Sequence, residues 1–286
     1  MSKHSERSVA VTGAGGGLGR DIALQLAAKG YIVFGTAFSP AEVDDLKAAS
    51  GGRVSLNVCD ITKPQEVKDW AGAVSESVGD TGLDVLINNA GVLTPGPIEV
   101  LPLDAIRREF DVNVFGALSV INAYLPALRK ARGRVVQVST WTASVPLPFN
   151  GPSGASKAAT EVFMAVYRAE LKHLGVDFVV AAAGNMKTGG PAKTAAALAR
   201  VSDSMTPMQR TLYGRTFDTF AASLNSMQAT GLNSASAAKR VIELAEQTPA
   251  PSRGAVGVDA EEMLRAARAK SDAELDALRM KLAGLG

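Results

Sequence analysis

Ser153 and Lys157 stand four residues apart in the stretch GPSGASK, residues 151–157. That spacing puts a hydroxyl and an ammonium on one face of a helix. A deprotonated lysine there could activate the serine as a nucleophile. Such a hydrolase dyad also needs an oxyanion hole and an acid for the leaving group, and neither is visible, so this reading is set aside for another role of the lysine. A second reactive stretch is TGAGGGLG, residues 12–19, between an apolar run and a helical one. Gly13, Gly17 and Gly19 permit a tight turn, close approach of the backbone to a pyrophosphate and close helix–sheet packing, while free N–H groups at the helix start favour an anion. Strand, glycine turn and helix in that order predict a dinucleotide site. No Gly-Lys-Ser/Thr follows, which excludes the phosphate loop of nucleotide triphosphatases.

The elements that must position these residues follow a regular beat of short apolar runs and longer amphipathic ones, the pattern of a parallel sheet with crossover helices. Strands are expected at 8–12, 31–36, 53–58, 84–88, 134–139, 176–182 and 254–258, with helices near 18–29, 40–49, 64–78, 103–130, 154–174 and 235–247. The strands are continuously apolar, as they are when helices cover both faces of a sheet. The fold class is therefore α/β: one Rossmann-type, doubly wound parallel sheet of about seven strands, in a single domain spanning 1–286. Residues 188–234 form a long insertion rich in Met, Phe and Leu, read as a substrate lid. Beyond Asp259 a helical extension is expected, with Ser271 and Glu274 spaced as a capping box.

The chain has 286 residues, 47% of them hydrophobic, and 30 Lys and Arg against 28 Asp and Glu. A net charge of +2 is too balanced for a nucleic-acid surface or a basic membrane anchor. No apolar run approaches the roughly 20 residues that span a bilayer, so a cytoplasmic location is expected. Cys59 is the sole cysteine, and two histidines far apart make no metal cluster. Small-molecule chemistry is the reading that remains.

Thr12-Gly13-xxx-Gly17-x-Gly19, Asn88-Asn89-Ala90-Gly91, Asn113 and the Ala155-Ser156-Lys157 triplet together resemble the short-chain dehydrogenase/reductase family over nearly the whole chain. FDVNVFGAL (110–118), LPFNGPSGASKAATE (147–161) and PAPSRGAVGVDA (249–260) are similar to its branch of retinol and 17β-hydroxysteroid dehydrogenases. The resemblance implies a nicotinamide dinucleotide held by Gly13, Gly15, Gly16, Gly17, Leu18 and Gly19. Further contacts are implied from Asp60 and Ile61, from Asn89, Ala90 and Gly91, and from Lys157, Gly184 and Thr188. An acid at the end of the second strand would accept from a ribose 2′-hydroxyl, and an arginine would pair with a 2′-phosphate. Phe38 and Ser39 stand there instead; the absent carboxylate removes a repulsion, so NADP(H) is favoured over NAD(H).

In the family a tyrosine lies four residues before the lysine, and a serine thirteen before that tyrosine. Here Ser153 and Thr140 occupy those places, with Asn113 on the preceding helix. Threonine can hold a substrate oxygen as serine does, with Ser139 directed to the other face of the strand. Ser153 cannot inherit the phenol's role, because an aliphatic alcohol is a far weaker acid and reaches less far. Three substitutes are open: Lys157 acting through an ordered water, oriented by the ribose and the Asn113 carbonyl; the phenol of Tyr213 from the lid; or loss of redox turnover, leaving a scaffold, sensor or non-redox catalyst. For Tyr213 the favoured reading is packing within the lid, and Tyr124 is read as core or interface. The expected activity is carbonyl–alcohol interconversion on an apolar small molecule. The helices at 103–130 and 154–174 carry apolar residues such as Val162, Phe163, Val166 and Tyr167 on more than one face, and the resemblance implies that these two helices pair across a two-fold axis in a homodimer or homotetramer.

Overall fold

A computed structural model describes residues 6–187 and 190–286. In chain order the elements are β1 (Ser8–Val11), α1 (Gly17–Ala28), β2 (Ile32–Ala37), α2 (Pro40–Ala49), β3 (Val54–Val58), α3 (Pro64–Val78), β4 (Val85–Asn88), α4 (Leu103–Phe110), α5 (Ala117–Ala131), β5 (Arg134–Thr140), α6 (Gly151–Leu171) and β6 (Asp177–Ala183). There follow β7 (Met186–Lys187), α7 (Gly190–Ser204), α8 (Pro207–Gln209), α9 (Arg215–Ala229), β8 (Leu232–Asn233), α10 (Ser234–Glu246), β9 (Arg253–Val256), α11 (Val258–Ala269) and α12 (Asp272–Leu282).

Seven strands form one parallel sheet in the order β3-β2-β1-β4-β5-β6-β9. Successive side chains alternate faces, and both faces are buried. Val9, Val11, Val33 and Val136 join α1 and α10 in one core, whereas Ala10, Phe34, Leu86 and Val135 join Trp70, Val120, Tyr124 and Met164 in the other. Strand order reverses between β1 and β4, and in such sheets ligands bind at the carboxyl ends beside that switch point.

The expected helix at 103–130 is interrupted. Asp111–Gly116 forms a π-turn between α4 and α5, one residue per turn wider than the flanking helix, and it carries Asn113. The three pieces still make a continuous rod, Leu103–Ala131, whose most apolar window has a mean hydropathy of 1.2. By length and composition that rod could cross a bilayer, contrary to the expectation that no segment is apolar enough; half of that window is buried against the protein itself.

The insertion is itself helical, and α7 packs on α9. Leu198, Phe217, Phe220 and Leu224 form a third core with Trp141, Val145 and Leu147 beneath and with Leu275 and Ala283 from the last helix. The capping box at the start of α12 is formed, with Glu274 N donating to Ser271 Oγ and Ser271 N to Glu274 Oε2.

Candidate active site

Thr12 fastens the glycine turn to the neighbouring strand. Its Oγ1 accepts from Asn89 N at 2.9 Å and Ala90 N at 3.0 Å, while Asn89 Nδ2 donates back to Thr12 O at 3.0 Å. Gly13 and Gly17 have φ of +66° and +52°, where a side chain is strained. A Cβ on Gly19 would collide with the Gly13 carbonyl and lie 2.5 Å from Asn89 Nδ2, so only glycine lets α1 approach the turn. A Cβ on Gly16 or Gly17 would meet nothing within 4 Å, and no side chain caps α1. The turn thus offers an open cradle with unclaimed N–H groups, the requirement for a pyrophosphate. Leu18 is buried beneath it. These residues fit a dinucleotide.

The adenosine end differs from expectation. Phe38 is exposed, and Ser39 Oγ caps α2 by accepting from Glu42 N at 3.3 Å. The Glu42 carboxylate folds back over the turn: Oε2 accepts from Phe38 N at 2.8 Å and would lie 2.6 Å from a Cβ on Gly15. A carboxylate from the first turn of α2 therefore stands between the second strand and the glycine turn, although the strand end itself carries none. The signal was the Ser39–Glu42 spacing of a capping box, whose acid here reaches the amide one residue further back. Asp60 Oδ1 accepts from Thr62 N and Oγ1, and Ile61 is buried at the end of β3 against Gly116.

Lys157, on α6, donates from Nζ to Val138 O at 3.0 Å. A Cβ on Gly91 would sit 3.3 Å from that nitrogen and 3.1 Å from Asn113 Oδ1, so Gly91 leaves room for both. Asn113 binds the neighbouring loop, with Oδ1 accepting from Val92 N and Nδ2 donating to Val92 O, to Ser156 Oγ and, at 3.3 Å, to Glu109 Oε1. Its backbone carbonyl, within the π-turn, accepts from Thr160 Oγ1 at 2.9 Å.

Glu109 escaped the sequence reading. It is fully buried four residues before Asn113, a spacing that itself signals contact on a helix. Its Oε2 accepts from Thr94 N at 2.8 Å. Burial raises its carboxyl to about 7, opposed by the Thr94 hydrogen bond and the nearby Lys157 charge. Burial likewise lowers the Lys157 ammonium to about 8, opposed by Glu109.

Thr140, Ser153 and Lys157 meet on one cavity of about 220 Å³, walled also by Trp141, Leu147, Asn150, Gly184, Thr194 and Gln228. Thr140 Oγ1 accepts from Thr142 N and Oγ1 at 3.3 Å. Ser139 does face away, donating to Glu161 Oε1 at 2.6 Å. Gly184 is glycine because the Asp259 carboxylate fills its side-chain space while accepting from Asn185 N. Thr188 lies outside the described residues.

No tyrosine reaches this cavity. Tyr213 donates instead to Glu99 Oε2, Tyr124 packs edge-on against Trp70 in the core, Tyr167 stacks on Phe178 and donates to Asn122, and Tyr31 donates to Glu246. With only four tyrosines in the chain, the proposed swing of Tyr213 finds no support. Tyr167 also leaves the exposed apolar set, which retains Val162, Phe163 and Val166.

Sheet order and glycine turn define a Rossmann-type dinucleotide fold. The family model "short chain dehydrogenase" matches residues 7–198, and the chain belongs to that family. Estradiol 17-beta-dehydrogenase 2 of Mus musculus is 37% identical over 186 residues, covering 64% of this chain and 49% of that protein. Retinol dehydrogenase 16 of Homo sapiens is 33% identical over 220 residues, covering 76% and 69%. The chain spans about half the length of the first of these relatives. Among solved structures, a short-chain dehydrogenase from Burkholderia cenocepacia in complex with NADP superposes with a TM-score of 0.73 at 25% identity, covering 97% of this chain and 98% of that one. One from Streptomyces avermitilis gives 0.77 at 25% identity, covering 98% and 96%.

Proposed function

We propose that the protein interconverts a carbonyl and an alcohol on a small molecule with a nicotinamide dinucleotide lying along the glycine turn. The observation that carries this reading is the convergence of Thr140, Ser153 and a Lys157 ammonium lowered to about 8 on one cavity beside Gly91. The dinucleotide, once bound, supplies or takes up hydride. Gly13 to Gly19 hold its pyrophosphate, Asp60 and Ile61 its adenine, and Asn89 to Gly91 with Gly184 border the remainder. Glu42 accepts from a ribose hydroxyl and repels a 2′-phosphate, which favours NAD(H).

Thr140 Oγ1 donates to the substrate oxygen. Lys157 steadies negative charge growing there and delivers the proton, directly or through a water in the space that Ser153 leaves open. An ammonium near 8 is better matched to that task than one at 10.5. Asn113 fixes the Val92 loop against α6 so that Lys157 keeps its place. The helices α7 to α9 act as the lid, and the exposed Val162, Phe163 and Val166 pair two copies of the chain.

A second reading, dinucleotide binding without turnover, draws support from Ser153 and from the placement of every tyrosine elsewhere. Absorbance at 340 nm with a panel of ketones and secondary alcohols separates the two. Turnover that Lys157→Ala abolishes supports the oxidoreductase; tight NADH binding with no substrate turned over supports the alternative. Calorimetry detecting neither NADH nor NADPH binding sinks both.

A further inference from the structure

Beside the cavity that holds Thr140, Ser153 and Lys157 lies a second one of about 580 Å³, inside the roughly 300–1,000 Å³ that small-molecule sites occupy. Trp141 and Asn185 line both, so the two adjoin at the residue that follows Thr140. Met227, Leu232, Val258, Met263 and Leu282 give the second cavity a mainly apolar wall. Its charged groups are two carboxylates, Asp259 and Glu262, and no Lys, Arg or His stands with them among the described residues.

The Asp259 carboxylate is only half committed. Oδ2 accepts from Asn185 N at 2.8 Å and from Asn185 Nδ2 at 3.1 Å, whereas Oδ1 has no donor among the described residues and is not sealed from solvent. Glu262 is exposed, and the arginine one turn on, Arg265, pairs at 3.2 Å with Glu261 instead. Trp141 gives an independent sign of a guest. The residue is only 3% exposed, yet its Nε1 donates to nothing among the described residues and is not sealed from solvent. A buried indole N–H ordinarily has a partner, and here that partner has to enter the cavities that Trp141 walls. Lys157 is the one charged side chain on the first cavity among the described residues. The two cavities thus present a cation at the reacting end and two anions beyond Trp141. Such a field favours a guest whose carbonyl oxygen faces the ammonium and whose own positive charge lies at the far end, and it disfavours an anion.

We propose that the second cavity receives the far end of the substrate, and that the substrate is an amphipathic amine, a ketone or matching alcohol on an apolar body that carries an ammonium group. Asp259 Oδ1 and the Glu262 carboxylate meet the ammonium, the methionine and leucine side chains enclose the body, and Trp141 Nε1 donates to the guest where the cavities adjoin. This rests on the oxidoreductase reading above and narrows its small molecule to one with a positively charged end.

The test uses the full chain at neutral pH, saturated with whichever of NADH and NADPH binds more tightly. Three ketones of similar size are compared: para-(dimethylaminomethyl)acetophenone, its neutral isostere para-isobutylacetophenone, and the anionic para-acetylphenylacetate. We expect kcat/KM for the amine to exceed that for the isostere by about tenfold or more, with the anion weakest. Glu262→Gln and Asp259→Asn should each cut the advantage of the amine over the isostere at least about threefold, a change in ratio that general misfolding would not produce. A wild type that turns over the isostere as efficiently as the amine overturns the proposal, as do variants that leave the preference between the two unchanged. If no ketone is turned over, the catalytic reading falls and calorimetry of the same ketones decides the inference. Tighter binding of the amine, by a margin that Glu262→Gln reduces, keeps it; equal or absent binding of the amine overturns it.

Discussion

Lys157→Met should make the coenzyme-free protein more stable at neutral pH while removing its activity. Burial holds the Lys157 ammonium at about 8 against an ordinary 10.5, which amounts to at most roughly 3 kcal/mol of destabilisation below pH 8, given the lysine's partial exposure. Methionine matches the stem in volume. The hydrogen bond to Val138 O is lost at about 1 kcal/mol, but that carbonyl keeps a donor in Gln137 Nε2 at 3.1 Å. Glu109 loses its counter-charge, and its carboxyl, already raised to about 7, stays protonated there at little expense. The net gain is about 2 kcal/mol at pH 7. Because the folded-state value lies below the unfolded one, the unfolded chain binds more protons between about 8 and 10.5. Wild-type stability therefore rises with pH across that window, and the advantage of the variant fades there. Urea unfolding at about pH 7 and about pH 10, at equal protein concentration and without coenzyme, measures both values. A variant less stable than wild type at pH 7, or an advantage equal at both pH values, refutes the reasoning.

Gly19→Ala should lower NADH affinity at least 100-fold by calorimetry, since its Cβ cannot coexist with the Gly13 carbonyl unless α1 moves away from the turn. Glu42→Gln should raise NADPH affinity at least tenfold while changing NADH affinity less, read by fluorescence titration of each. Carbonyl reduction should fall as pH rises through about 8, where Lys157 loses its proton, and Glu109→Gln should move that midpoint lower in a kcat–pH profile because the ammonium loses its supporting carboxylate. Ser153→Tyr places a phenol in the cavity beside Lys157; stopped-flow assays with the smallest ketones should show a gain within the 10²–10⁴-fold range of general acid catalysis.

The sheet and its crossover helices were legible because β1, β4 and β6 are buried on both faces and read as short apolar runs, told from helices by lengths of 4 to 7 residues and by the longer amphipathic stretches between them. The meeting of Thr140, Ser153 and Lys157 was legible for a different reason, since all three sit at fixed offsets from the end of β5 and the start of α6. The π-turn was not, because apolar residues crowd more than one face of 110–128 and so hide the shift in helical phase that the extra residue brings. The Glu42 and Glu109 carboxylates left only faint local traces, the Ser39–Glu42 capping spacing and the four-residue step from Glu109 to Asn113. One folds backwards onto a turn 27 positions earlier, and the other is buried on a short helix of strongly polar character. The partner of Tyr213, Glu99, lies 114 residues away, so no local spacing could name it.

The third hydrophobic core ties the two ends of the chain's specificity together. Trp141 from the β5 end shares that cluster with Leu275 and Ala283, and Ser223 on α9 donates to Leu282 O at 2.9 Å. The glycine turn and the strand that fastens it come from the first hundred residues, whereas Trp141 on the cavity wall is packed in a cluster completed by the last dozen. Substitutions in α12 should therefore reach the cavity through Trp141 while leaving the glycine turn untouched.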